Sequence, residues 1–131
     1  MTIEKSGSPT GRLSIRTVAM PADTNPHGAI FGGWLMAQMD LAGGTHAFHR
    51  ARGPVVTVAV DAMTFHEPVF VGDELSCYTD VAKVGRTSLT VRVEAWVRRR
   101  WGDETQIKVT TGTYTFVAVD EAQNKRQVPP E

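Results

Sequence analysis

The sequence of 131 residues predicts an α+β fold in which an antiparallel sheet of about five strands wraps around one long central helix. Three observations carry that expectation. Residues 29–49 are mostly good helix formers without a proline, enough for roughly five helical turns. Four later segments and one earlier one are β-rich and alternate between apolar and polar residues, the period of half-buried strands. The helical stretch itself has no polar stripe: Ile30, Phe31, Trp34, Leu35, Met36, Met39, Leu41, Ala42 and Phe48 surround it. A helix of that kind must be enclosed on most sides.

The elements follow in order. In the first strand, Leu13 and Ile15 alternate with Arg12, Ser14 and Arg16. "PADTNPHG" is rich in turn formers and delivers the chain to the helix. After "RARGP", the β-branched run "VVTVAVDAMTF" opens the remaining sheet. "DELSCYTDVAKV" and "SLTVRVEAWVRRR" flank a turn at Gly85 and Arg86, and "WGDE" turns the chain into "TQIKVTTGTYTFVAV". The four strands after the helix are expected to be joined by short turns. Residues 1–11 read as an N-terminal tail, 12–119 as one domain, and 120–131 as a polar C-terminal tail or docking segment. A curved sheet around one helix, with a partner subunit covering what remains, is the arrangement called the hotdog fold.

Composition narrows the function. Fourteen basic and fourteen acidic side chains cancel, so no summed field draws nucleic acid or an anionic membrane to the protein. One cysteine, Cys77, allows no internal disulfide, and no Cys/His pattern suggests a metal. The apolar stretch is too interrupted for a bilayer span and no secretory leader is expected. A cytoplasmic protein fits these features. His46 and His49 fall in the last helical turns and suit the negative end of the dipole, while His66 and Cys77 read as surface and core residues.

Asp40 is the sole formally charged residue between Asp23 and Arg50. Burying a carboxylate costs several kcal/mol unless it is hydrogen-bonded, protonated or facing a wet cleft. A structural anchor and a catalytic group both satisfy that condition. Gly32 and Gly33 would each cost about 1 kcal/mol inside a helix relative to alanine. Near its first turn they leave backbone N–H groups uncovered, at the positive end of the dipole, suited to an oxyanion. Close packing against a strand would explain the same pair. Gly32 and Asp40 lie about 12 Å apart along a helix, too far to touch one small acyl group. If both are catalytic, Gly32 of one chain must approach Asp40 of another, and the protein must be an oligomer with composite sites.

The segment "MPADTNPHGAIFGGWLMAQMDLAGG" resembles the YciA-type acyl-CoA thioesterases of the hotdog superfamily. The likeness continues through "VVTVAVDAMTFHEPVFVGDELSCY", "VGRTSLTVRVEAWV" and the last strand, over residues 12–119. Its specific part is Pro21, Asp23, Asn25, Gly28 and Phe31-Gly32-Gly33, with Asp40 seven residues beyond. Related branches carry His-Gly-Gly where this chain has Phe31-Gly32-Gly33, a departure that fits the YciA type and leaves no histidine function at position 31. The resemblance implies that Asp40 is the catalytic carboxylate, as general base or as nucleophile. Asn25 would orient the thioester or water, the Gly32 amide would polarise the carbonyl, and Thr57 would support the carboxylate across the interface. Gly85, Arg86, Thr87 and Ser88 would bind the CoA phosphates through backbone amides, hydroxyls and one guanidinium. A plain hairpin turn is the alternative. The run Arg98, Arg99 and Arg100 reads as a solvated edge.

The implied reaction is hydrolysis of acyl-CoA to acid and CoA without cofactor, CoA being part of the substrate. Dimers with composite sites are implied, and trimers of dimers are common in the family. Two rivals remain: a hotdog hydratase or dehydratase pairing His27 with Asp40, and a non-catalytic acyl-CoA binding module.

Overall fold

The computed structural model describes residues 7–61 and 63–131. Strand β1 spans Arg12–Val18, and a single 3-10 turn, Pro21–Asp23, leads toward helix α1, Gly32–Ala51. Strands β2 (Val55–Val60), β3 (Glu74–Val84), β4 (Ser88–Arg98) and β5 (Gln106–Ala118) complete the domain. All five strands form one antiparallel sheet in the order β1-β3-β4-β5-β2. The predicted α+β hotdog architecture is thereby observed.

The helix begins three residues later than the sequence suggests, because the loop before it is held by its own bonds. Asp23 accepts Met20 N–H through Oδ2 at 3.1 Å, and its carbonyl accepts Phe31 N–H at 2.8 Å. Asn25 N–H reaches Ala29 O at 2.7 Å, and Gly28 adopts φ +92°, a left-handed conformation that favours glycine. The helix starts only where this loop releases the chain.

The sheet curves around α1. Every one of its four ladders carries an irregularity, at Leu13/Ile15, Val81/Lys83, Ala95/Trp96 and Thr57/Ala59. Such bulges increase twist and bend the strands. On the concave face Leu75, Cys77, Val91, Val93, Tyr114 and Phe116 bury themselves against Leu35, Met39, Ala42 and Ala47 of the helix. Burying that much apolar surface, at about 25 cal/mol per Å2, is the main drive for closure. Burial also pushes the Cys77 thiol up to about 12, so it stays an unreactive core group.

The strands do not all follow one another by short turns. β2 pairs with β5 at one edge, and β3 starts near the other edge beside β1. The described intervening residues, 61 and 63–73, therefore cross the fold. On the way Val69 O accepts Ile30 N–H at 2.8 Å and Ala19 O accepts Gly72 N–H at 2.9 Å, which pins the entry to α1.

Two charged clusters stabilise the outer surface. Glu94, buried in the sheet, accepts bonds from Thr10 Oγ1 at 2.7 Å, Trp96 Nε1 at 2.8 Å and the Arg92 guanidinium. Burial opposes its charge, yet these donors hold its pKa down to about 2. Arg98 pairs with Glu74 at 2.6 Å, and Arg99 pairs with buried Asp73 at 2.6 Å. Arg100 lies over the Trp101 ring. The three arginines are thus engaged in the sheet edge and its turn.

Candidate active site

Asp40 lies two turns into α1, half-buried, and opens onto a cleft of about 510 Å3 between the helix and β2. Leu41, Thr45, Phe48 and His49 form its helix wall, while Pro54, Val55, Thr57 and Phe116 form the sheet wall. Thr57 Oγ1 donates to Asp40 Oδ1 at 2.7 Å. A hydrogen bond to a carboxylate is charge-assisted and fixes its orientation. No hydrogen bond among the described residues occupies Oδ2.

The register of β2 explains how Thr57 reaches Asp40. Thr57 pairs with Phe116, whose ring is on the concave face, and the register slips before Ala59. The extra residue, Val58, is 55% exposed. A bulge re-aims side chains beside it, and here the hydroxyl stays on the helix side. The bond is made within one chain, whereas the resemblance implied a support from across an interface.

The helix N-terminus is a separate region. Phe31 occupies the N-cap position without a side-chain cap, and its carbonyl accepts Trp34 N–H at 3.0 Å. The amides of Gly32 and Gly33 therefore meet no capping group among the described residues. A Cβ at Gly32 would have nothing within 4 Å, and one at Gly33 would meet only the Phe31 ring. Strand packing does not account for this pair. Neither glycine lines the Asp40 cleft of the same chain.

Asn25 also stands outside that cleft. Its Oδ1 accepts His27 N–H at 2.8 Å and Ala29 N–H at 3.2 Å, which shapes the loop. Nδ2 has no hydrogen-bond partner among the described residues. His27 is exposed on the same loop and does not border Asp40 within the chain. Gly85, Arg86, Thr87 and Ser88 form the β3–β4 turn, closed by Gly85 N–H to Ser88 O at 2.8 Å. Ser88 pairs with Val117 and Val55 pairs with Ala118, so the turn sits at the Pro54 end of the cleft. The structure thus joins Asp40 with Thr57, and keeps Asn25, the Gly32-Gly33 pair and the β3–β4 turn apart from them in one chain.

Two features were not foreseen from the sequence. Tyr114, almost fully buried, donates to Met36 O at 3.0 Å, one helical turn before Asp40. Burial first, and then the nearby Asp40 charge, push its hydroxyl up to about 12. The sequence marked β5 as a strand but could not show which carbonyl Tyr114 meets. His46 turns inward instead of capping the helix: its Nδ1 lies 2.8 Å from Thr79 Oγ1. Burial and the nearby Arg12 charge lower its pKa, so the imidazole favours the neutral form. The helix end is closed instead by Arg52 in a left-handed conformation, whose N–H reaches His49 O and Phe48 O.

Among the described residues no cluster of His, Cys, Asp or Glu could hold a metal ion, and no helix is long and apolar enough to cross a membrane. The family model of the thioesterase superfamily matches residues 27–100. The acyl-CoA thioester hydrolase YciA of Escherichia coli is 46% identical over 125 residues, covering 94% of this chain and 95% of that protein. A hexameric thioesterase from Yersinia pestis superposes with a TM-score of 0.90 at 48% identity, covering 95% and 100% of the two chains. An acyl-CoA hydrolase from Staphylococcus aureus, solved with butyryl-CoA and CoA, gives a TM-score of 0.80 at 30% identity, covering 88% and 70%. That enzyme has also been solved with one asparagine, one aspartate and one threonine each replaced by alanine. With this fold, this match along nearly its whole length and a cleft built on one helical carboxylate, the chain belongs to the YciA-type acyl-CoA thioester hydrolases of the thioesterase superfamily.

Proposed function

We propose that the protein hydrolyses acyl-CoA to a free acid and CoA in a composite site between two subunits, with Asp40 as its reactive carboxylate. The observation that carries this reading is the Thr57 Oγ1 to Asp40 Oδ1 bond of 2.7 Å at an open cleft. It orients a carboxylate while leaving its second oxygen available. As general base, that oxygen takes a proton from the water that attacks the thioester carbonyl. As nucleophile, it forms a mixed anhydride that water then cleaves. Either route expels the CoA thiolate and passes through a tetrahedral oxyanion.

The oxyanion needs a donor placed at the thioester carbonyl. The uncapped Gly32 amide of the partner subunit supplies it, with Gly33 keeping the approach free of a Cβ. Asn25, through its Nδ2, orients the thioester or the water. Gly85, Arg86, Thr87 and Ser88 hold the CoA phosphates. Leu41 and Val58 support the same assembly, since they flank the site yet are 57% and 55% exposed in a single chain. Isolated apolar side chains at a surface are ordinary, but their grouping at an incomplete site favours a covering partner. The relative from Yersinia pestis is a hexamer, the number of subunits that three such dimers would give.

The three positions replaced in the Staphylococcus aureus enzyme stand 15 and 17 residues apart, the same spacing as Asn25, Asp40 and Thr57. That coincidence supports the grouping of these three residues in one reaction. The chemistry proposed draws on no metal or redox group, and an acyl-CoA substrate fits a cytoplasmic protein. The test is thiol release from a panel of acyl-CoAs by wild type and Asp40→Asn, alongside mass in solution. Asp40→Asn should lose about 10³-fold in kcat with its assembly intact. Equal turnover by both would sink the assignment; water added to an enoyl-CoA without thiol release would favour the hydratase, and stoichiometric binding without turnover the binding module.

A further inference from the structure

Residues 120–131 fold back over the domain and meet both ends of the machinery proposed above. Asp120 Oδ1 accepts Ala122 N–H and Asn124 N–H, each at 2.9 Å, and reverses the chain so that Arg126 N–H reaches Ala118 O at 3.0 Å. The Arg126 guanidinium then donates to three main-chain carbonyls. Nε reaches Val119 O at 2.8 Å, Nη1 reaches Ala51 O at 2.9 Å and Nη2 reaches Pro54 O at 3.3 Å. Ala51 is the last residue of α1, where carbonyls lack helical partners and the dipole favours a cation. Pro54 belongs to the wall of the Asp40 cleft.

Two residues further on, Val128 N–H donates to Arg86 O at 2.8 Å, and its side chain packs with Leu89 and Ala118. One strap of chain therefore ties the cleft wall at Pro54 to the β3–β4 turn at Arg86. Arg126 makes no ion pair among the described residues; its donors serve backbone oxygens at the end of α1, just before β2 and just after β5. It does not itself line the cleft, so it can act there only through the residues it holds.

We infer that the C-terminal strap, through Arg126, is a positioning element that sets the β3–β4 turn against the cleft wall and thereby governs affinity for the CoA moiety, leaving the chemical step to Asp40. This rests on the reading of Gly85, Arg86, Thr87 and Ser88 as the CoA-binding turn. A displaced turn misplaces phosphate contacts while the thioester end stays in register with Asp40.

The experiment compares an acyl-CoA with the matching acyl-N-acetylcysteamine thioester, which carries the same acyl group and lacks the nucleotide and phosphates. Arg126→Ala should raise KM for the acyl-CoA about tenfold, keep kcat within about twofold, and leave kcat/KM for the truncated thioester unchanged. Arg126→Lys keeps the charge and fewer of the bonds, and should show the same selective rise in smaller degree, which serves if the alanine variant does not fold. An unchanged KM, or an equal loss on both substrates, overturns the inference. An Arg86→Ala/Thr87→Ala double variant separates the two levels of the argument. A wild-type KM there overturns the reading of the turn and the inference with it; a raised KM there beside a wild-type KM in Arg126→Ala overturns the strap alone.

Discussion

Helix α1 contains two Gly-Gly pairs, and the structure gives them different reasons to exist. A Cβ on Gly43 would sit 3.2 Å from both Phe116 and Val93 side chains, and one on Gly44 would be 3.5 Å from Phe116. There the helix backbone lies close on the sheet: the space at Gly43 is tight for a Cβ, and that at Gly44 is in ordinary contact. At Gly32 a Cβ would meet nothing within 4 Å, and the helix end carries no side-chain cap. A glycine that packing does not demand, at a cost of up to about 1 kcal/mol relative to alanine, calls for another explanation. Exposed first-turn amides at the positive end of the dipole provide it. The same dipeptide thus marks the stability end of the helix in one place and the functional end in the other.

The sharpest way to break that contrast is Gly32→Pro. Proline is accommodated at the first helical position, where its fixed φ suits the helix and its missing N–H has no helical partner. The residue before it must be extended, and Phe31 already is, with φ −64° and ψ 128°. The substitution therefore deletes one N–H with little disturbance to the fold. If that amide polarises the carbonyl, kcat should fall by about 10²- to 10³-fold, with thermal unfolding and assembly close to wild type. A kcat near wild type would remove Gly32 from the reaction.

Thr57→Val comes next in size. The substitution keeps the shape of a β-branched strand residue and removes the hydroxyl that holds Asp40. Loss of one charge-assisted hydrogen bond is worth about 1.5–3 kcal/mol when fully expressed, and water can partly replace it at an open cleft. The expected loss in kcat is therefore about tenfold, well short of that for Asp40→Asn. A loss as large as that of Asp40→Asn would show that Thr57 does more than orient the carboxylate.

How far the site could be read from the sequence follows the same division. The helix, its first glycine pair and its single carboxylate were legible because each breaks a local rule: charge amid apolar neighbours, glycine amid good helix formers. Five strands were legible from alternation. Their order was not, since pairing β2 with β5 and β1 with β3 depends on contacts far apart along the chain. Thr57 carries no local signal either, being one threonine in a β-rich run; its pairing with Phe116 on the concave face brings it to Asp40. His46 follows the helix-end rule for cations in sequence, and tertiary contact with Thr79 overrides it. Arg126 lies in a polar segment without periodicity, and its role comes from carbonyls more than 70 positions away in sequence.

The smallest expected effect tests the packing half of the comparison. Gly43→Ala adds a methyl against Phe116 and Val93, both fully buried, with Phe116 stacked on Tyr114. Overpacking of that kind costs about 1–3 kcal/mol, against a gain of about 1 kcal/mol in helix propensity. Because neither ring can leave its place without disturbing the other, the net should be a destabilisation of about 1 kcal/mol, read as a fall of a few degrees in Tm at fixed protein concentration. Gly32→Ala gains propensity without any new contact, so its Tm should stay level or rise by a similar small amount. The two alanine variants differ by one methyl each on the same helix. If their Tm values move together, the open and packed glycine pairs are not distinct in energy, and the functional reading of Gly32 would have to stand on its N–H alone.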